Sequence, residues 1–227
     1  MKRFAVIGLG RFGSQLARAL MRAGAEVCAI DKDHKLIEQI SDEVTLAVRL
    51  DSTDEDALRA QGIDKVDAAI VSIGQNFESN ILTTVTLKSL GVKLICARAE
   101  QEMHGKILKR IGADEVIFPE DESAQRWSFK LLAPLISEKV EFAEGFSLAQ
   151  YTAPASFDGK SLLDLQLRKK YRVNLIGMRR AADRHAPPEK QIKKQIISLP
   201  LPETVINQAD LLWLVGSDED LAKLPNK

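Results

Sequence analysis

Short apolar segments alternate with amphipathic segments along the first half of the chain. Most of the apolar segments lack the two-residue alternation that marks a strand with one solvated face. Strands of this kind, separated by helical patterns, are typical of a parallel sheet with helices on both faces. The segments are residues 4–7, 26–30, 45–50, 68–72, 93–97 and 115–118. They predict an α/β fold with a doubly wound, Rossmann-like parallel sheet.

A second, shorter pattern follows the six predicted strands. Helical spacing continues over residues 121–139, and residues 144–145 (Glu-Gly) mark a linker. The remainder predicts a smaller α/β unit, with strands over 148–153, 173–179, 195–198 and 211–215, a helix over 162–170 and a short final helix. We therefore expect an N-terminal domain of residues 1–140, which ends in a crossover helix at about 120–139, and a C-terminal domain of residues 141–227.

A glycine-rich turn, residues 8–13 (GLGRFG), follows the first predicted strand and opens a helix. Glycine at position 8 permits a tight turn, Gly10 lets the main chain approach a pyrophosphate, and Gly13 lets the helix pack closely on the sheet. The free N–H groups of the helix attract an anion. Asp31 closes the next strand, where a carboxylate can accept hydrogen bonds from a ribose. The pattern predicts a nucleotide site, and a glycine turn without a ligand is the alternative.

Charged residues follow several of the predicted strands, at the edge where ligands bind in this fold. Arg11 and Arg98 are placed to bind the phosphates of a nucleoside di- or triphosphate. Glu120 fits such a site only with a cation between it and the phosphates, because carboxylate and phosphate repel each other. Charged residues are also common in exposed loops, so solvated surface charges are the alternative interpretation.

The nucleoside is expected to lie near the ends of the second, third and fourth strands. Asp31 disfavours a 2'-phosphate by charge repulsion, although the adjacent Lys32 weakens this argument. Asp51 and Ser52 are placed to contact the base. Gly74 removes a side chain where a ligand could come close, and Asn76 lies at the same strand end.

The composition excludes some classes of protein. The chain has 227 residues, of which 45% are hydrophobic, and its formal net charge is zero. A nucleic-acid-binding protein normally carries a basic excess, so no nucleic-acid partner is expected. No apolar run approaches the roughly 18 residues that span a bilayer. Cys28 and Cys96 fall in predicted strands about 14 Å apart, beyond disulfide reach, which fits a reducing compartment.

In these residues the chain resembles the RCK (KTN) family of regulators of potassium conductance, and most of all its Ktr and Trk gating subunits. The resemblance covers nearly the whole length. It depends on residues 8–13, Asp31, 51–54 (DSTD), 72–76 (SIGQN), 111–114 (IGAD), 119–120 (PE) and 163–165 (LDL). These motifs add Phe12 and Ile73 to the expected nucleotide contacts. The chain departs from the family at 207–210 (NQAD), where Gly-Asp is common.

The resemblance implies a ring, usually octameric and assembled from dimers, that binds ATP, ADP or NAD(H) and gates a separate integral-membrane potassium channel or transporter subunit. Such a protein is cytoplasmic and docks on the inner face of the membrane through its partner. Asp31 would hold the ribose, Asp51 or Ser52 the adenine, and Arg11 and Arg98 the distal phosphates. Glu120 would bind Mg²⁺, Ca²⁺ or a monovalent cation beside a triphosphate.

Some members of the family bind cyclic di-AMP in the C-terminal domain. Arg168, Asn174 and Ile176 lie in the comparable stretch of this chain and are the candidate residues for such a second effector. This domain is also the expected regulatory and dimerisation domain.

The favoured function is thus a nucleotide-sensing regulatory subunit, which is not an enzyme. The alternative is an NAD-dependent oxidoreductase, because the same glycine turn serves hydride-transfer enzymes. Against it, His34, His104 and His185 show no spacing that suggests acid–base chemistry, and the first two are expected to cap or decorate helix surfaces. A third possibility, a metal-binding module, lacks a Cys/His ligand cluster.

Overall fold

The computed structural model describes residues 1–180, 196–197 and 200–226 of the chain. These residues belong to two compact units, Met1–Ser123 and Ala124–Lys227. His185 lies outside the described residues.

A six-stranded sheet forms the centre of the first unit. Its strands lie in the order β3-β2-β1-β4-β5-β6, and all neighbouring pairs are parallel. The strands are β1 (Arg3–Ile7), β2 (Glu26–Asp31), β3 (Leu46–Arg49), β4 (Ala68–Val71), β5 (Ile95–Arg98) and β6 (Glu115–Ile117). This topology confirms the predicted doubly wound fold, and it brings the carboxyl ends of all six strands to one edge.

Helices cover both faces of this sheet. They are α1 (Arg11–Arg22), α2 (His34–Ile40), α3 (Glu55–Ala60), α4 (Phe77–Ser89) and α5 (Glu102–Ile111). A sixth helix, α6 (Pro119–Leu132), follows β6 and has no buried residue. Ala5 and Ile7 of β1 lie in one core with Leu87 of α4. Val6 lies in the other core with Ala17 of α1. Because successive residues of the strand are buried on opposite faces, the strand appears in the sequence as a continuous apolar run.

The second unit is built on an antiparallel sheet in the order β11-β10-β13-β8-β7, and β9 pairs separately with β12. Its strands are β7 (Ile136–Ala143), β8 (Phe146–Thr152), β9 (Lys160–Ser161), β10 (Asn174–Arg179), β11 (Ile196–Ile197), β12 (Val205–Ile206) and β13 (Leu211–Ser217). Its helices are α7 (Leu162–Leu165), α8 (Leu167–Tyr171) and α9 (Asp218–Ala222). Tyr151 of β8 and Leu214 of β13 are buried in its core. A smaller second domain is thus confirmed.

The predicted crossover helix to about residue 139 is wrong in its second part. Helix α6 ends at Leu132, and residues from Ile136 onward form β7. Pro134 lies between them and cannot continue the helix, because it has no N–H to donate and its ring clashes with the preceding turn. Residues 144–145 are therefore the turn of the β7–β8 hairpin, where Gly145 has a φ of 70°, and not a linker. Residue 140 lies within β7.

The predicted helix over 162–170 is also interrupted. Helices α7 and α8 are separated by Gln166, which adopts a left-handed conformation with a φ of 47°. The described part of the predicted strand at 195–198 is β11.

Candidate functional site

The glycine turn joins β1 to α1, and two of its glycines are required by packing. Gly8 has a φ of 92°, and a Cβ at this position would lie 3.0 Å from the backbone nitrogen of Ile73. A Cβ on Gly13 would lie 1.9 Å from the carbonyl oxygen of Gly8. A Cβ on Gly10, in contrast, would meet no described atom within 4 Å. The main chain at Gly10 is therefore open to a ligand.

Helix α1 begins at this opening. Gly10 is its N-cap residue, and within the described part of the chain no side chain caps the helix. The first turn contains no acidic residue, and its exposed Arg11 adds a positive charge to the positive end of the helix dipole. Phe12 is partly buried beside it. These features favour an anion at the start of α1.

Asp31 fixes the glycine turn to the end of β2. Its Oδ2 accepts a hydrogen bond of 2.6 Å from the backbone N–H of Leu9, and its Oδ1 accepts one of 2.9 Å from the N–H of Asp33. A carboxylate oxygen can accept two hydrogen bonds, so Asp31 retains capacity for the hydroxyl groups of a ribose. The carboxylate therefore has an evident structural role, and its contact with a ribose stays a prediction.

A cavity of about 490 Å³ lies beside the glycine turn. This volume is within the range typical of sites for small molecules. Seven of the predicted nucleotide contacts line it: Gly8, Asp31, Lys32, Asp51, Ser52, Ile73 and Asn76. Gln75, Glu78 and Ser79 also line it and were not predicted. The other predicted residues, which include Arg11, Gly74, Arg98 and Glu120, are not among its described lining residues.

The two predicted base contacts differ in their availability. Asp51 is exposed, and hydrogen bonds from the backbone N–H and the hydroxyl of Thr53 lower the pKa of its carboxyl group below the ordinary value. It is therefore ionised at neutral pH. Ser52 is buried, and its hydroxyl lies 2.7 Å from the hydroxyl of Thr83. Asn76 caps helix α4 by accepting from the N–H of Ser79.

Arg98 fills the space beside Gly74, where we expected a ligand. A Cβ on Gly74 would lie 2.0 Å from Nη1 of Arg98, so a larger residue here would have to displace the guanidinium. The Nη2 of Arg98 donates to Oε1 of Glu120 over 2.8 Å and to Oε1 of Glu100 over 3.4 Å. The carboxylate of Glu120 is thus paired with the guanidinium of Arg98, and a metal cation at Glu120 stays a prediction. In the described ranges, no group of three or more His, Cys, Asp or Glu residues could hold a metal ion.

The sequence did not predict a role for Asn80, which holds two strand ends of the site together through its side chain. Its side-chain amide is almost completely buried and donates to the carbonyl oxygens of Ile73, at 2.7 Å, and Arg98, at 2.9 Å. It thereby joins the ends of β4 and β5. The sequence did contain a signal for this role. Three polar residues, Asn80, Thr83 and Thr84, lie at helical spacing on the buried face of α4, and buried polar groups need hydrogen-bond partners.

The histidines and cysteines considered in the sequence, where the structure describes them, are not among the lining residues of this cavity. The ring of His104 stacks on Phe77 with centroids 3.8 Å apart, and Nδ1 of His34 lies 3.3 Å from Oε1 of Glu38 on α2. Cys28 and Cys96 are free thiols, as predicted. Burial raises the pKa of the Cys28 thiol to about 11.

The structure brings together two of the three candidate residues for a second effector. Nε of Arg168 donates to Oδ1 of Asn174 over 2.7 Å. Ile176 lies two residues further along β10 and is about half exposed. A ligand at these residues stays a prediction.

Within the part of the chain that the structure describes, no helix combines the length and the apolar composition of a membrane span.

Residues 4–119 match the TrkA-N domain family, and residues 148–227 match the TrkA-C domain family. The chain is 37% identical over 226 residues to Ktr system potassium uptake protein C of Bacillus subtilis (strain 168). This alignment covers 100% of this chain and 97% of that protein. It is 31% identical over 226 residues to Ktr system potassium uptake protein A of the same organism, with coverages of 100% and 96%. Its fold is similar to that of the GsuK channel bound to NAD, with a TM-score of 0.59 and 18% identity over 97% of this chain and 38% of that one.

The two domain families account for most of the chain, and the Ktr proteins align with it over almost their full length. The likeness to the GsuK channel shows a shared fold alone. The chain therefore belongs to the RCK family of TrkA- and Ktr-type potassium uptake proteins.

Proposed function

We propose that this protein is a nucleotide-sensing regulatory subunit, not an enzyme, which gates a separate membrane potassium channel or transporter. The observation that carries the proposal is the combination of an uncovered glycine turn at the start of α1 with a cavity beside it that Asp31 and Asp51 line. The relatives named as Ktr potassium uptake proteins support the link to potassium transport.

The proposed ligand is ADP or ATP, with NAD(H) as a second adenine nucleotide that the same site could take. The adenosine would lie in the cavity near Asp31, Asp51 and Ser52, and the phosphates would meet the start of α1 and Arg11. A negative charge at Asp31 disfavours a 2'-phosphate, so NADPH should bind less well than NADH. The structure named as the GsuK channel bound to NAD supports NAD(H) as a ligand of this fold.

The proposed mechanism is a shift between two shapes of an assembly. A nucleotide that makes more phosphate contacts in one shape stabilises that shape by the difference in contact free energy. We propose an assembly of dimers into an octameric ring, docked on the cytoplasmic face of the membrane through its partner. The C-terminal domain, predicted as residues 141–227, would provide dimer contacts, and Arg168, Asn174 and Ile176 are its candidate contacts for cyclic di-AMP.

The cation is a separate part of the proposal. Glu120 is the candidate ligand for Mg²⁺, Ca²⁺ or a monovalent cation that accompanies a triphosphate. Because its carboxylate is paired with Arg98 in this structure, the cation would have to share Glu120 or take it from the arginine.

The alternative function, an NAD-dependent oxidoreductase, shares this type of sheet but has no further observation in its favour. The described lining residues of the cavity include no His, Cys or Tyr, and two of its acidic residues, Asp31 and Asp51, already accept hydrogen bonds from neighbouring groups.

A thermal-shift panel tests the proposed function. ATP, ADP, AMP, NADH, NADPH and cyclic di-AMP are added separately to the purified full-length protein, with and without Mg²⁺. A ligand at 100 times its Kd stabilises the native state by about 2.7 kcal/mol, which moves the melting temperature by several degrees. We expect this shift for ADP, ATP or NADH and a smaller one for NADPH. A panel in which no adenine nucleotide raises the melting temperature would rule out the proposal.

A further inference from the structure

The ion pair between Arg98 and Glu120 joins the ends of two neighbouring strands. Arg98 is the last residue of β5 and lies opposite Ile117 of β6. Glu120 is in the first turn of α6, three residues beyond Ile117. The guanidinium also contacts Glu100, so one nitrogen of Arg98 lies within 3.4 Å of two carboxylates.

The two members of this pair differ in how firmly they are held. The Arg98 side chain is only 16% exposed and lies over Gly74, whereas the Glu120 side chain is 65% exposed. The carbonyl of Arg98 is also bound by the buried amide of Asn80. The Arg98 side chain is therefore largely enclosed by its neighbours, and Glu120 is the partner that is open to solvent.

Two successive residues, Ile73 and Gly74, lie between the glycine turn and the guanidinium of Arg98. Gly8 packs against the backbone of Ile73, and the next residue, Gly74, is covered by Arg98. This series of contacts places Nη1 of Arg98 at most about 13 Å from the Cα of Gly8. A phosphate chain that ran from the glycine turn across Gly74 would approach the arginine. A guanidinium binds phosphate and carboxylate through the same planar set of donors, so the two anions compete for it.

We infer that Glu120 is an internal competitor of the nucleotide phosphates for Arg98, and that phosphate binding at Arg98 releases the first turn of helix α6. The inference rests on the proposed function, since it needs a nucleotide at the glycine turn. A nucleoside without phosphates leaves the ion pair intact. The number of phosphates on the ligand thus determines whether Arg98 holds Glu120, and with it the first turn of α6.

Calorimetry with Glu120→Gln tests this inference. ADP and adenosine are titrated into the full-length protein in buffer with a metal chelator, so that any role of Glu120 in binding a cation is absent. Removing the competing carboxylate should tighten ADP binding by up to about fivefold, the value of a partly exposed ion pair, and leave adenosine binding unchanged. ADP binding that is unchanged or weaker in Glu120→Gln would overturn the inference.

Two further variants separate competition from a general charge effect. Glu122→Gln removes the same charge from the same turn of α6, where no described residue pairs with the Glu122 side chain, and it should change the ADP affinity by less than about twofold. In an Arg98→Gln background, Glu120→Gln should give no gain. An equal gain in Glu122→Gln, or a gain that persists without Arg98, would overturn the inference while the proposed function stands. If the wild-type protein binds no adenine nucleotide, the proposed function itself fails.

Discussion

A methyl group added at Gly13 tests whether the start of helix α1 is held against the glycine turn as the structure shows. In Gly13→Ala, the new Cβ would lie 1.9 Å from the carbonyl oxygen of Gly8. Ordinary contact requires about 3.5 Å, so the helix and the turn must separate by roughly 1.5 Å. No rotamer change can relieve this contact, because both atoms are attached directly to the backbone.

The expected cost follows from that displacement. Overpacking a tight site costs typically about 1–3 kcal/mol, and the upper part of this range applies where two backbone segments collide. Alanine is a better helix former than glycine by about 1 kcal/mol, which offsets part of the cost. We therefore expect Gly13→Ala to lower the free energy of unfolding by about 2 kcal/mol. The shift also strains the 2.6 Å hydrogen bond from Leu9 to Asp31, so nucleotide binding should weaken as well.

Gly10→Ala is the matched control, because its Cβ would meet no described atom within 4 Å and its φ of −61° suits any residue. Its free energy of unfolding should fall by less than about 1 kcal/mol, the cost of a poorer N-cap residue. Its affinity for ADP should nevertheless fall, since the methyl group would occupy the approach of the phosphates. Urea unfolding followed by circular dichroism measures the stability, and calorimetry measures the binding. A Gly13→Ala protein as stable as the wild type, or a Gly10→Ala protein with unchanged ADP affinity, would refute this reasoning.

Three further substitutions test other parts of the account. Asn80→Leu leaves two partly buried carbonyl oxygens without their donor, so urea unfolding should show a loss of about 1–3 kcal/mol, and an unchanged stability would contradict the assigned hydrogen bonds. Arg11→Ala should weaken ATP binding more than ADP binding in calorimetry, whereas equal losses would count against a contact with the distal phosphate. Burial opposes ionisation of Asp218, but hydrogen bonds from Lys139 and Ser147 outweigh it and hold its pKa below the ordinary value of 3.8. The ionised Asp218 therefore stabilises the fold above about pH 4, and this stabilisation is lost as the pH falls further. Asp218→Asn should thus flatten the decline of the melting temperature in acid. Parallel pH profiles of the melting temperature for the two proteins would refute this prediction.

The sheet of the first unit could be predicted from sequence because both of its faces are covered. Val6 and Ile7 are buried on opposite sides, so β1 appears as a short apolar run bounded by a glycine turn. Strand β7 could not be recognised in the same way. It lies at the edge of its sheet, and Val140 and Phe142 are more than half exposed, so β7 is held by its hydrogen bonds to β8 more than by burial. Its sequence continued the preceding helical pattern, and Pro134 was the one signal against this interpretation.

The candidate site shows the same difference between local and long-range information. Gly8 and Asp31 have a fixed spacing along the chain, which the sequence displays directly. The pairing of Arg98 with Glu120, in contrast, depends on the register of β5 and β6, and the direct contact follows only when both strand ends are in place. The position of each residue at one edge of the sheet was predictable, but the choice of partner was not. Similarly, the role of Asn80 depends on two carbonyl groups from separate strands.

Nucleotide binding at the glycine turn is tested most directly by a crystal structure of the full-length protein, from crystals grown with saturating ADP. We expect density for the diphosphate at the start of helix α1, beside Arg11, and for the ribose hydroxyls next to the carboxylate of Asp31. An empty cavity at this position, or ADP bound only elsewhere on the molecule, would contradict it.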